Sequence, residues 1–204
     1  MSMKIYAVRK GLTPGIYHTW EECKQQVSGF SGAEYKSFTT LEAANDYLNG
    51  RAEAPSGSAA YMSLPENEAV AYVDGSFRSD TGEFSYGAVI FHRGCELHMS
   101  DRSSDPSLAD MRNVAGEIKG AEAVMRYARD NGICKLSVYH DYEGISKWCT
   151  GEWKAHKEGT QAYRDFFQSI SDKINITFYK VKGHSGDKYN EMADSLAKKA
   201  LGID

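Results

Sequence analysis

The sequence predicts an α/β protein in which a mixed five-stranded sheet flanked by helices follows a small α+β unit. Three observations carry this reading. A Pro/Gly/Ser-rich run without periodicity, "RAEAPSGSAAYMSLP", separates residues 1–50 from a longer body at 67–204, leaving 51–66 as a flexible linker. Apolar spacing in the body changes between periods of two and 3.6 in the order β-β-β-α-β-α-α-β-α. Two of its apolar strands lead into an aspartate, Asp74 and Asp141, where open α/β sheets place their ligand sites.

Taken in order, the head reads β-β-α-β-α. "KIYAV" and "GIYHTW" are short strands joined at Pro14-Gly15. Thr19 and Glu22 form a capping box for a helix carrying Cys23 and Val27. "EYKSF" is the third strand, and Thr39 with Glu42 repeats the capping signal for "LEAANDYL", which stops at Asn49-Gly50. The body opens with "EAVAYVDGSF", followed by "YGAVIFHRG" and "CELHMSD" at hairpin distance. A long helix ends at Asn131-Gly132, and "CKLSVYHD" is the fourth strand, expected to lie parallel to the first. Helices over 142–150 and 160–172, the strand "NITFYKV" and a helix from 187 complete the chain.

With 204 residues, 41% hydrophobic and 25% charged, the chain reads as soluble and globular. A net charge of -4 argues against a broadly basic nucleic-acid coat and leaves room for a local basic patch. The cysteines at 23, 95, 134 and 149 have no paired short spacing, so reduced thiols in the cytoplasm are expected. No apolar run approaches the roughly 20 residues of a membrane span, and "MSMKIYAVRKG" lacks the apolar core of a signal peptide.

One residue breaks the pattern. In "NVAGEIKGAEAVMRYA", Val114, Ala121, Val124 and Ala128 mark the buried face of a helix, and Glu117 sits in the middle of that seam. A buried carboxylate without a partner costs several kcal/mol, by order of magnitude. Asp74 and Asp141 lie at strand ends facing the same region, and Asp194 lies on the edge of the last helix's apolar stripe, three residues before Ala197. Four carboxylates aimed at one point repel unless a cation neutralises them. Hard oxygen ligands without a His or Cys set suit Mg2+, or Mn2+ in its place. Two such ions about 4 Å apart activate a water and stabilise the leaving oxygen of a phosphodiester.

The stretches "YVDGSF", "RNVAGEIKGAEAVM", "VYHDYEGISKW" and "KVKGHSGDKYNEMADSLAKKA" resemble, in this order, type 1 ribonuclease H across residues 68–204. The head resembles the hybrid-binding, caulimovirus viroplasmin-type domain that precedes some enzymes of that family. The resemblance implies a ribonuclease H-like fold and an Mg2+-dependent endonuclease using two ions. It implies cutting of the RNA strand of RNA–DNA hybrids to 5'-phosphate and 3'-hydroxyl ends, with R-loop and primer removal as the task. It maps the metal-binding acids onto Asp74, Glu117, Asp141 and Asp194, and a mobile-loop histidine that handles protons or product release onto His184. Asn113 matches a minor-groove contact and Asn190 a position near the metals. In the head, Tyr6, Trp20, Tyr35 and Lys36 match nucleic-acid contacts, as aromatic platforms and a phosphate-binding cation. Trp20 and Phe38 also have a bland reading as core residues of a small domain. The implied partner is the hybrid, with double-stranded RNA open to the head, no membrane and a monomeric chain.

Two departures qualify the resemblance. The segment "WCTGEWKAHKEGTQAY" is short where relatives without a head carry a Lys-rich protrusion, so the body is expected to bind hybrid weakly and the head to raise the effective concentration. A second lysine of the third head strand is replaced by Ser37, which removes one expected phosphate contact. Competing readings are a binding protein with the body as scaffold, and a DNA-cutting nuclease of the same broad fold.

Overall fold

The computed structural model describes residues 4–38, 41–48, 58–106, 108–183 and 187–203, and the chain divides into two compact units, Met1–Ala54 and Pro55–Asp204. In the first, β1 (Ile5–Lys10) is the middle strand of an antiparallel sheet with β2 (Gly15–Tyr17) and β3 (Glu34–Phe38) at its sides. Helix α1 (Trp20–Val27) begins at a capping box: Thr19 Oγ1 accepts from the Glu22 N–H at 3.2 Å, and Glu22 Oε2 accepts from the Thr19 N–H at 3.1 Å. The register pairs Tyr6 with Ser37, Ala7 with Lys36 and Val8 with Tyr35. Strand alternation therefore places Tyr6, Val8, Tyr35 and Ser37 on one face and Ala7, Arg9, Lys36 and Phe38 on the other. Trp20 of α1 stacks on the first face, while Tyr47 of α2 (Leu41–Leu48) packs against Phe38 and Arg9 on the second. The Thr39 cap expected for α2 lies outside the described residues.

The second unit begins with a four-residue helix, α3 (Ser58–Tyr61), inside the stretch expected to be linker. Tyr61 is fully buried, its hydroxyl 2.7 Å from that of Tyr72 and its ring against Phe91. A single large aromatic in a Ser/Ala-rich run gave no periodic signal, yet it anchors this segment. Strands β4 (Glu68–Phe77), β5 (Phe84–His92) and β6 (Cys95–Ser103) form an antiparallel meander, closed between β5 and β6 at Arg93-Gly94, both with positive φ. After α4 (Asn113–Asp130) come β7 (Lys135–His140), α5 (Gly144–Thr150), α6 (Glu158–Ile170), β8 (Asn175–Lys180) and α7 (Lys188–Ala200). The sheet order is β6-β5-β4-β7-β8, with β4–β7 and β7–β8 parallel. This is the mixed five-stranded sheet the sequence predicts.

Helix α4 buries Ala115, Ile118, Ala121, Val124, Met125 and Ala128, and each large side chain among them contributes about 1.5–3 kcal/mol. Its approach to the sheet is backbone to backbone. A Cβ at Gly75 would lie 2.2 Å from the Asn113 carbonyl oxygen, and one at Gly116 would lie 2.0 Å from that of Ser85. On β5, a Cβ at Gly87 would lie 2.0 Å from the Ala193 oxygen of α7. Both helices thus sit closer to the strands than any side chain allows. Among the described residues no helix is long and apolar enough to cross a membrane.

Candidate active site

The parallel pairing of β4 with β7 stops at Tyr72 and Tyr139, and Asp74 and Asp141 each lie two residues beyond that last pair. Asp74 is not at the physical end of its strand, because β4 runs on to Phe77 with β5 as its sole partner. Across this level, α4 presents Glu117. Ligand oxygens of Asp74, Glu117 and Asp141 all lie within 4.8 Å of one another.

The electrostatics of the trio are unfavourable without a cation. Burial pushes the Glu117 carboxyl up to about 9, aided by the charges of Asp141 and Asp74 and opposed by the nearby Tyr142 backbone N–H. Burial likewise raises Asp74 to about 7, with Asp141 adding to the effect and the Gly75 N–H, donating at 2.7 Å, opposing it. Glu117 Oε2 is buried and has no hydrogen-bond partner among the described residues. An all-carboxylate donor set with an orphaned buried oxygen fits a hard divalent cation, which supplies the missing positive charge. The trio fits a divalent cation.

Asp194 stands apart from that trio. Its carboxylate accepts from Lys198 Nζ at 2.6 Å, one turn along α7, and it is close enough to Asp74 to raise that residue's pKa. Asn113 is the first, exposed residue of α4, one turn before Glu117. Asn190 is buried near the start of α7, with Oδ1 unpartnered among the described residues and its N–H held by the capping carboxylate of Asp187. His184 lies outside the described residues. The chain leading to it passes beside the trio, since a Cβ at Gly183 would lie 2.5 Å from Asp141 Oδ2.

In the head, Tyr6, Trp20 and Tyr35 form a continuous aromatic row with ring centroids 5.6 and 5.8 Å apart. Trp20 is 39% and Tyr35 43% exposed, so Trp20 is a surface residue and not core. Lys36 is exposed but lies across the pleat from the row, whereas Ser37 shares the row's face. Phe38 is partly buried against Tyr47.

Sequence reasoning missed one surface. Met111, Val114, Tyr142, Trp148, Lys154 and Lys157 line a cleft of about 370 Å3 beside the first turn of α4, with His156 and Thr160 completing it. The available signal was the spacing of Lys154, His156 and Lys157 after Trp148 and Trp153. Counting lysines in that short segment hid their convergence on one cleft.

Comparison with known proteins adds an independent line. Residues 66–202 match the family model described as RNase H, and residues 4–48 match the one described as ribonuclease H1 N-terminal domain. Ribonuclease H of Francisella philomiragia is 32% identical over 148 residues, covering 67% of this chain and 92% of the relative, and that of Francisella tularensis subsp. novicida has the same identity and coverage. Among solved structures, RNase H1 of Halobacterium salinarum aligns with a TM-score of 0.54 at 23% identity, covering 66% of this chain and 98% of its own. The N-terminal RNase H domain of rv2228c from Mycobacterium tuberculosis aligns with a TM-score of 0.55 at 21% identity, covering 66% and 94%. These two likenesses speak for the fold.

Proposed function

We propose, from the premise that this chain belongs to the RNase H family, that it hydrolyses the RNA strand of RNA–DNA hybrids endonucleolytically, leaving 5'-phosphate and 3'-hydroxyl ends. The observation that carries the reading is the trio of buried Asp74, buried Glu117 and half-buried Asp141, with Glu117 Oε2 unpartnered among the described residues. Asp74, Glu117, Asp141 and Asp194 would hold Mg2+, with Mn2+ able to substitute. A pair of such ions, when bound, supplies charge stabilisation at the scissile phosphodiester and lowers the pKa of an attacking water.

The chain's own residues do the rest. The Gly75 N–H orients Asp74, and the Tyr142 N–H faces Glu117 and favours its ionised form. Lys198 holds Asp194 from one turn along α7. His184 is assigned to proton handling or product release, on the resemblance alone. Asn113 would meet the hybrid near the scissile bond, the buried Asn190 is assigned a place behind it near the metals, and the cleft of Lys154, Lys157 and Trp148 offers a cationic, aromatic path for a strand beside it. Strand choice would follow from contacts to 2'-hydroxyls on one strand only.

The domain assignment within this proposal is a hybrid-binding unit at 1–50 and a catalytic unit at 67–204, and the linker expected at 51–66 is shortened at its far end, because α3 and the buried Tyr61 already pack with the second unit. Tyr6, Trp20 and Tyr35 form the binding platform of the head, with Lys36 as an accessory cation. Four free cysteines support a reducing, cytoplasmic setting.

The test is cleavage of an end-labelled RNA–DNA hybrid with Mg2+, beside single-stranded RNA, double-stranded RNA and DNA duplex. Cutting confined to the RNA of the hybrid and lost with EDTA is the expected result. Binding without cutting would overturn the enzyme reading.

A further inference from the structure

We propose that His140 is a positioning residue that locks the turn carrying Asp141 and aims the Tyr142 N–H at Glu117, so that the acidic trio is shaped before any cation arrives. This inference rests on the metal-centre reading above and adds a residue to it.

His140 ends β7, one residue before Asp141, and is completely buried. Its Nδ1 lies 2.9 Å from the Tyr142 carbonyl oxygen. A carbonyl only accepts, so Nδ1 carries the proton and the tautomer is fixed. Nε2 is then an acceptor, and it has no partner among the described residues. A buried unmet acceptor is destabilising, and an apolar side chain of similar size would avoid it. What the imidazole provides is a short clamp across the Asp141–Tyr142 turn. Tyr142 is also the residue whose backbone N–H faces Glu117 and favours its ionised form. One bond from His140 therefore holds both the acid that follows it and the N–H that faces the acid on α4.

The clamp is itself held from a second side. The His140 carbonyl oxygen accepts from the Val181 N–H at 2.8 Å, and its ring packs edge-on to Phe178 at 5.9 Å. The segment entering at Val181 reaches Gly183 against Asp141. Outer partners that fix metal-binding side chains are worth about 10–100-fold in metal affinity.

The experiment uses the full chain with His140→Phe, which keeps a ring and removes the donor, and His140→Asn, whose amide can replace Nδ1–H. His140→Leu serves as a second donor-free variant should the Phe variant not fold. Two readouts are taken: hydrogen exchange of the Tyr142 amide in metal-free protein, and Mn2+ affinity by calorimetry. The expected result for His140→Phe is Tyr142 exchange about tenfold faster and Mn2+ binding about tenfold weaker, without a fall in Tm. His140→Asn should restore both to within about threefold. Unchanged exchange in the donor-free variants overturns the clamp, as does a loss that follows Tm and is not rescued by Asn. If the wild-type chain takes up no Mn2+, the metal-centre reading fails, and the Tyr142 exchange rate still decides the clamp.

Discussion

The acidic trio of the larger unit and the aromatic row of the smaller one break the same burial rule in opposite directions. Asp74 and Glu117 are charged residues placed inside, at 8% and 1% exposure, while Trp20 and Tyr35 are large apolar surfaces left outside. Each arrangement costs stability in the isolated chain. The cost differs in what would relieve it. A compact, doubly charged ion satisfies the trio, and a flat, stackable surface satisfies the row. On the proposed function, chemistry and grip sit on separate units and should be separable by mutation.

The harshest way to break that separation is Asp141→Asn. Cleavage should fall by at least about a thousandfold while hybrid binding, read by anisotropy in Ca2+, stays within about threefold. Residual activity near wild type would remove Asp141 from the centre.

Next in size is the pH dependence of the metal-free protein. Glu117 folded has its pKa raised to about 9 from 4.5, so folding binds a proton that the unfolded chain releases. Its contribution is complete below about 4.5 and is lost as pH rises through about 9. Asp74, raised to about 7 from 3.8, adds a smaller loss between those values. Glu117→Gln should therefore stabilise the metal-free chain at pH 8, by about 2 kcal/mol, seen as a higher Tm. Added Mg2+ should stabilise the wild type and leave the variant behind. A lower Tm for the variant at pH 8 without metal would contradict the buried-charge assignment.

Trp20→Ala addresses the row. Losing one stacking platform should weaken hybrid binding about tenfold with kcat at saturating hybrid unchanged; a fall in kcat would mean the two units are not separable. The smallest effect sharpens the pleat assignment. Ser37→Lys places a cation on the face of Tyr6 and Tyr35, so it should tighten binding a few-fold and steepen the salt dependence by about 0.9 per phosphate engaged. Lys36→Ala should change both less, and the reverse order would place the phosphate path on the α2 side.

Much of the larger unit was legible because its signals are periodic. Glu117 was visible as a polar break in an apolar seam, and the succession of strands along the chain followed from alternation and turn residues. Asp74 was located correctly along the chain but misjudged as a strand end, because sequence does not show that β5 keeps pairing after β7 stops. Tyr61 was hidden in a low-complexity run, since one buried ring has no period. The role of His140 was beyond reach, as it depends on a carbonyl two residues away turning back toward Nδ1. Trp20 was undecidable from sequence, where an aromatic in a small domain serves core and surface equally well. Lys36 and Ser37 could have been separated by counting parity along "EYKSF" from Tyr35.

The contact of Gly75 and Gly116 with the opposing backbone has a consequence for how this protein can vary. Neither position has room for a methyl group, so nineteen amino acids are closed to each whatever the selection applied. A saturation library sorted only for folded protein should return glycine alone at both, with no hybrid or metal present. Invariance there would record a geometric veto, and a search for functional positions by tolerance alone would rank two residues fixed by backbone clearance beside the acids they bring together.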